Sequence, residues 1–495
     1  MVRPTLSGLA NLAPKTLEEI VEGLALPSKS ATIATLWPEP WRDAGSSVSP
    51  AFEAIRIETL RRAGAIGALK AVLEHVPAPT EPVLAVVVLR AHLLVGNREV
   101  GCALAGEAIR NRGTLPTTFR RDAVLAAGYC ALAGGNAEAG RLTADLIRGE
   151  GIEAPFALAV LQGSGAGKPS PPLPPSVGAL DYRIGEVAGL VWPRELIDRA
   201  EPGVLAVIPT APAVDPGLKV AAAERAAQLN LLPPETLAEH YRGVPAAPAD
   251  LADPFASKHT AAMRRAVLMQ AADAAAAPEK KARLLAALLD DAGTAGLRAP
   301  VARLLGPVVE QLRPLPELAW FADHAAEILV RSGRGAAVDY WADLARDLAH
   351  WRVLGALASD NAVPSSTGLA DLERLARTGR IDPARLHRVV TALDALDVQL
   401  PIPLWEAASR TPQPTDGHLP PTGVLAELKM ASDRGESARV VLRAGQAMGP
   451  ASAADANLLT LGDVIRALGK VGLTREARGL AIEALIDTWP TAARR

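Results

Sequence analysis

GNREVGCALAGEAI, running from Gly96 to Ile109, decides the fold. A small-residue turn, Gly96-Asn97, opens an alanine-rich amphipathic stretch, and the pattern returns from Gly135 as GNAEAGRLTADLI. Four further turns stand at Gly64 (GAIGALKAVLEHV), Gly333 (GRGAAVDYWADLA), Gly435 (GESARVVLRAGQAM) and Gly472 (GLTREARGLAIEALI). Neighbouring turns are 32, 39 and 37 residues apart (64 to 96, 96 to 135, 435 to 472). Glycine lets the backbone turn left-handed at a helix end, and a small residue five positions later (Gly101, Gly140, Ala477) lets two helices approach closely. A single hairpin cannot bury its apolar face, so the pattern predicts stacked helical hairpins with a long concave surface.

Through the turn glycine, the small residue and the closing small pairs (Cys102 to Ala105, Leu480 with Ala481), the chain resembles degenerate tetratricopeptide-like repeat proteins. The resemblance covers roughly residues 50–150 and 320–490 and lacks the aromatic residues of a full consensus unit. It implies an all-α fold, an α-solenoid of stacked hairpins interrupted by Pro/Gly-rich linkers, and a surface that docks a protein or peptide partner. In texture the chain is also similar to alanine-rich helical proteins of alphaproteobacteria, a likeness that implies no function.

Composition agrees with the helical reading. Of the 495 residues 49% are hydrophobic but only 3% aromatic, so alanine and leucine carry the packing, and alanine is the best helix former. The nearest strand candidate, AVVVLRAHLLV from Ala85, runs on into a helical period and reads as a buried helix. Basic and acidic residues nearly balance, 52 against 54, and the arginines are dispersed in pairs such as Arg61-Arg62, Arg120-Arg121 and Arg264-Arg265. A nucleic-acid binder concentrates positive charge on one stripe, so no nucleic-acid partner is expected.

The first twenty residues show no basic region leading into an apolar stretch, and no apolar run reaches the roughly 20 residues that span a bilayer. Read literally, the chain has no transmembrane segment and is cytoplasmic. The two cysteines cut the other way. Cys102 and Cys130 lie 14 residues either side of Pro116, in the turn between two predicted helices, where antiparallel neighbours face each other. They are either reduced core residues or a disulfide, and a disulfide implies a periplasmic protein whose leader has been trimmed.

Proline and glycine divide the chain into a hairpin block over 1–162, a linker over 163–179, a middle helical segment over 180–299 and a second repeat block over 300–495, with a proline-rich interruption at 401–423. In the middle segment Pro193, Pro216 and Pro233 read as helix starts, since the missing N–H would be unpaired there anyway.

Catalytic signatures fail on particular residues. GSGAGKPS from Gly163 resembles a phosphate loop, but Gln162 stands where glycine is needed and Pro169 follows Lys168 in place of a hydroxyl. Eight dispersed histidines (His75, His92, His240, His259, His324, His350, His387, His418) offer no paired metal spacing. Asp290-Asp291 begins a DDxxD-like magnesium motif whose fifth position is Thr294. No enzyme, cofactor or metal is expected.

One cluster remains: Trp320, Phe321, Tyr340, Trp341 and Trp351 gather in 32 residues, out of 17 aromatics in all. If DYWADLARDLAHW is one helix, Tyr340 and Trp351 lie about 20° apart around it, which suits one packed face or one partner-binding groove. The function expected is a non-catalytic interaction scaffold. The rivals are a structural subunit of an envelope or motility assembly and the superhelical accessory region of a cell-wall enzyme.

Overall fold

The computed structural model of the chain describes residues 6, 8, 9, 12–42, 49–163, 170–256, 259–344, 346–360 and 362–491. Among these the fold is all-α: no strand forms, and β-type pairing is confined to two isolated bridges, Val177 with Ala200 and His418 with Ala456. The stretch from Ala85 lies in the helix Pro82–Leu94, whose side chains from Leu84 to Leu89 and from Ala91 to Leu94 are all buried. Apart from Arg90 and His92 it is apolar, and helices cover it on several sides.

The six turn glycines share one geometry. Gly64, Gly96, Gly135, Gly333, Gly435 and Gly472 each sit two residues past the end of a helix, with φ between 70° and 88°. At the second of these, the Gly96 N–H bonds Leu93 O at 3.1 Å and the Asn97 N–H bonds His92 O at 2.9 Å; the same double closure recurs at the other five. Two otherwise orphaned carbonyls are thereby satisfied, at a φ that only glycine adopts without steric cost. The small residue five positions on has its own reason. A Cβ at Gly101 would stand 2.4 Å from Leu93 Cδ2, so the helices Pro82–Leu94 and Arg98–Arg110 meet at their present distance only because that side chain is missing.

Contacts gather the chain into two compact units, the first made of Leu9–Val21 and Pro38–Ala226, the second of Met1–Gly8, Glu22–Trp37 and Ala227–Arg495. The segment 163–179, expected as a linker, lies within the span of the first unit. Residues 164–169 of that linker lie outside the described residues. Its end is built into the first unit: Val177 is fully buried, its N–H bonds Arg199 O at 2.7 Å, and its carbonyl accepts from Glu201 N at 3.0 Å.

In the first unit, Pro82–Leu94, Arg98–Arg110, Thr117–Ala133 and Ala137–Gly149 pack each against the next, around a core that includes Leu89, Ala126, Ala144 and Ile184. In the second, Ala261–Ala274, Pro278–Thr294, Arg298–Gln311 and Ala322–Arg331 do likewise, as do Val424–Asp433 with Ser437–Met448 and Leu458–Lys470 with Thr474–Leu485. That unit also closes on itself. The helix Thr474–Leu485 packs against Ala31–Leu36, Trp351–Leu357 and Pro383–Asp394 as well as its hairpin partner.

DYWADLARDLAHW does not form one helix. Val338–Ala342 ends after five residues, a short 3-10 turn covers Arg346–Leu348, and a new helix runs over Trp351–Leu357. The common face inferred from helical spacing across Tyr340, Trp341 and Trp351 therefore does not exist.

Candidate functional site

The five clustered aromatics divide by burial. Phe321, Trp341 and Trp351 are buried; the Phe321 and Trp341 rings meet edge to face at 5.6 Å, and Trp351 Nε1 donates to Asp323 Oδ1 at 2.8 Å. These three anchor the core and offer no surface to a partner. Trp320 and Tyr340 remain 47% and 67% exposed.

Cys102 on Arg98–Arg110 and Cys130 on Thr117–Ala133 are joined as a disulfide, with Cα atoms 5.7 Å apart. The bridge ties two consecutive antiparallel helices beside the core of the first unit. Asp290 and Asp291 are engaged by arginines: Arg298 meets Asp290 at 3.2 Å, and Arg265 and Arg264 both reach Asp291. Among the described residues no group of three His, Cys, Asp or Glu side chains is placed to hold a metal ion, and no helix is long and apolar enough to cross a membrane. The GSGAGKPS segment falls largely outside the described residues.

The second unit contains a cleft of about 950 Å³ assembled from the ends of helices. Turn residues from separate hairpins reach it, among them Asn230, Gly296, Gly333 and Gly472, together with the first residues of Arg298–Gln311 and Thr474–Leu485. Asn230 adopts a left-handed φ of 56°, and its side-chain amide donates to the carbonyls of Ser28 and Lys29.

At the cleft wall, Glu483 is spent on internal donors. One oxygen accepts Thr32 N at 2.7 Å and Thr32 Oγ1 at 2.8 Å, and the other accepts Ser30 Oγ at 2.6 Å. Ser30 in turn caps Ala31–Leu36 through Ile33 N. Three more acids line the cleft: Asp487 is paired with Arg331, Glu476 is engaged as well, and Asp360 is exposed. The cations Lys29, Arg303, Arg475 and Arg478 make no ion pair among the described residues. Arg303 is only partly satisfied. Its Nη2 donates to Asn230 Oδ1 at 3.2 Å, while its Nε is shut off from solvent with no hydrogen-bond partner among the described residues. Burial pushes this guanidinium below its ordinary value, and the nearby Glu483 charge pushes it back up. Arg478 donates only to a backbone carbonyl, that of Ser359, at 2.9 Å.

Sequence reasoning passed over Lys29, Arg303, Arg478 and Glu483. No local pattern marks them, since the cleft draws on residues from Lys29 to Asp487. One usable signal existed: Gly296, a cleft residue, belongs to a further set of turns with the same double closure (Gly151, Gly189, Gly296, Gly379), each followed four residues on by proline (Pro155, Pro193, Pro300, Pro383). No family model, no curated protein and no solved structure matches this chain.

Proposed function

We propose that this protein is a non-catalytic scaffold, a tetratricopeptide-like array of stacked hairpins that docks a protein or peptide partner. The observation that carries the reading is a cleft walled by the turns of separate hairpins, which a stacked array produces and a single catalytic constellation does not require. Exposed Trp320 and Tyr340 in the same unit supply the large, low-entropy contacts typical of binding hot spots. The bridged Cys102–Cys130 pair supports residence in an oxidising compartment over the cytoplasm.

Screening the full chain against an immobilised peptide library tests the scaffold reading, with Trp320→Ala/Tyr340→Ala as the control. The reading expects peptides retained by the native chain and weakened at least tenfold in the variant, whose fold is unchanged. A hydrolase or transferase activity in the purified chain, abolished by one acidic substitution, would overturn it.

A further inference from the structure

We infer that the Cys102–Cys130 bridge is a redox latch. Oxidised, it holds the helix Arg98–Arg110 against its neighbours; reduced, it lets that helix open while the rest of the first unit stays folded. The inference is independent of what the protein docks.

The argument begins with what the helix buries. Each of the six turn glycines leads into an α-helix, and five of those helices sink at least one large apolar side chain into the core: Leu69 after Gly64, Ile147 after Gly135, Trp341 after Gly333, Leu442 after Gly435 and Leu480 after Gly472. Arg98–Arg110 buries only Gly101, Ala105 and Ala108. Its larger apolar residues fare less well: Leu104 and Ile109 are partly buried, and Val100 is exposed. Ala108 and Ile147 stand at the same distance past Gly96 and Gly135, so the hairpin that carries the bridge has alanine where the next has isoleucine. Apolar burial stabilises in proportion to the area taken from water, and alanine offers little of it.

The bridge stands where that anchor is missing. It joins Arg98–Arg110 to Thr117–Ala133, while Pro82–Leu94 flanks the same helix. Those two neighbours also pack against each other and against Ala179–Val187, so they keep a core without Arg98–Arg110. Both cysteines are only partly buried, at the edge of the core, which leaves the bond within reach of a dithiol. One thiolate of the dithiol attacks a cysteine sulfur to give a mixed disulfide, and its second thiolate then displaces that sulfur. The dithiol supplies two electrons and two protons and closes to its own disulfide, and Cys102 and Cys130 each become a thiol. With the bond broken, only packing holds the helix, and the least anchored element of a unit opens first. Opening uncovers Leu93, on which Gly101 rests.

Hydrogen exchange of the full chain, read by mass spectrometry with and without dithiothreitol and in the absence of denaturant, tests the latch; alkylation counts the released thiols. Reduction is expected to lower protection across residues 102–110 by roughly tenfold or more, and to change Pro82–Leu94 and Thr117–Ala133 by less than roughly threefold. Reoxidation with oxidised glutathione should restore the protection, and Cys102→Ala/Cys130→Ala should show the open pattern without any reductant. A bond that resists dithiothreitol in the folded chain overturns the latch. So does reduction that leaves 102–110 as protected as before, and so does a loss spread evenly over the first unit, which would make the bridge a brace for the whole unit.

Discussion

Glu483 accepts both the backbone N–H and the hydroxyl of Thr32, at 2.7 and 2.8 Å, joining residues 451 apart in the chain. A carboxylate at the start of a helix both caps it and completes the link between Ala31–Leu36 and Thr474–Leu485. Glu483→Ala should cost about 2–4 kcal/mol, because three donors lose a charged acceptor at once. The loss should appear in the urea transition of the second unit and leave that of the first unchanged.

The aromatic cluster should separate into two classes of variant. Phe321→Ala, Trp341→Ala and Trp351→Ala each vacate a filled core site and should lower stability by about 3–5 kcal/mol. Trp320→Ala and Tyr340→Ala should change Tm little. Thermal unfolding of the five single variants checks the division, and an equal loss at Trp320 or Tyr340 would assign that residue to the core.

Reduction of Cys102–Cys130 releases a loop of 28 residues, so the disulfide should contribute about 3–4 kcal/mol on the loop-closure estimate. Guanidinium unfolding with and without a phosphine reductant measures it, and Cys102→Ala/Cys130→Ala should reproduce the reduced value. Expression in an oxidising compartment should accordingly give the more stable product.

Glu327 is gripped by Arg298 through two bonds of 2.7 and 2.8 Å and by Arg331 Nε at 2.9 Å. Burial pushes its carboxyl up, but the Arg298 hydrogen bonds and then the Arg331 and Arg298 charges outweigh that and hold it below the ordinary carboxylate value. A depressed folded value means that the stabilisation is present above the unfolded pKa, near 4.3, and is lost as pH falls through the folded one. Glu327→Gln should therefore cost about 2–4 kcal/mol at pH 7, with the difference from the native chain shrinking on acidification. A pH-independent difference would mean that the carboxylate charge contributes nothing.

What was readable in the sequence was local. A glycine that must turn left-handed and a residue that must lack a side chain declare themselves by type, as at Gly96 and Gly101. The helical stretch through Tyr340 and Trp351 misled because helical spacing assumes continuity, and the chain breaks between Ala342 and Trp351. Arg303 was invisible for a different reason: an arginine in a helix is ordinary until the side chains that surround it in the fold are known. Proline and glycine near 163–179 mark irregular backbone, and irregular backbone can be fixed by packing as firmly as Val177 is.

The packing of Ala31–Leu36 against Thr474–Leu485 also sets a timetable for synthesis. Residues Pro38–Ala226, which make up nearly all of the first unit, are complete long before the chain ends. The segment Glu22–Trp37 emerges ahead of them, yet the helix Thr474–Leu485 that it packs against begins 437 residues after Trp37. At about 5–20 residues per second it waits some tens of seconds with Ile33, Leu36 and Trp37 uncovered, side chains that are buried in the finished protein. During that interval the segment lacks the helix Thr474–Leu485 that it packs against in the finished protein.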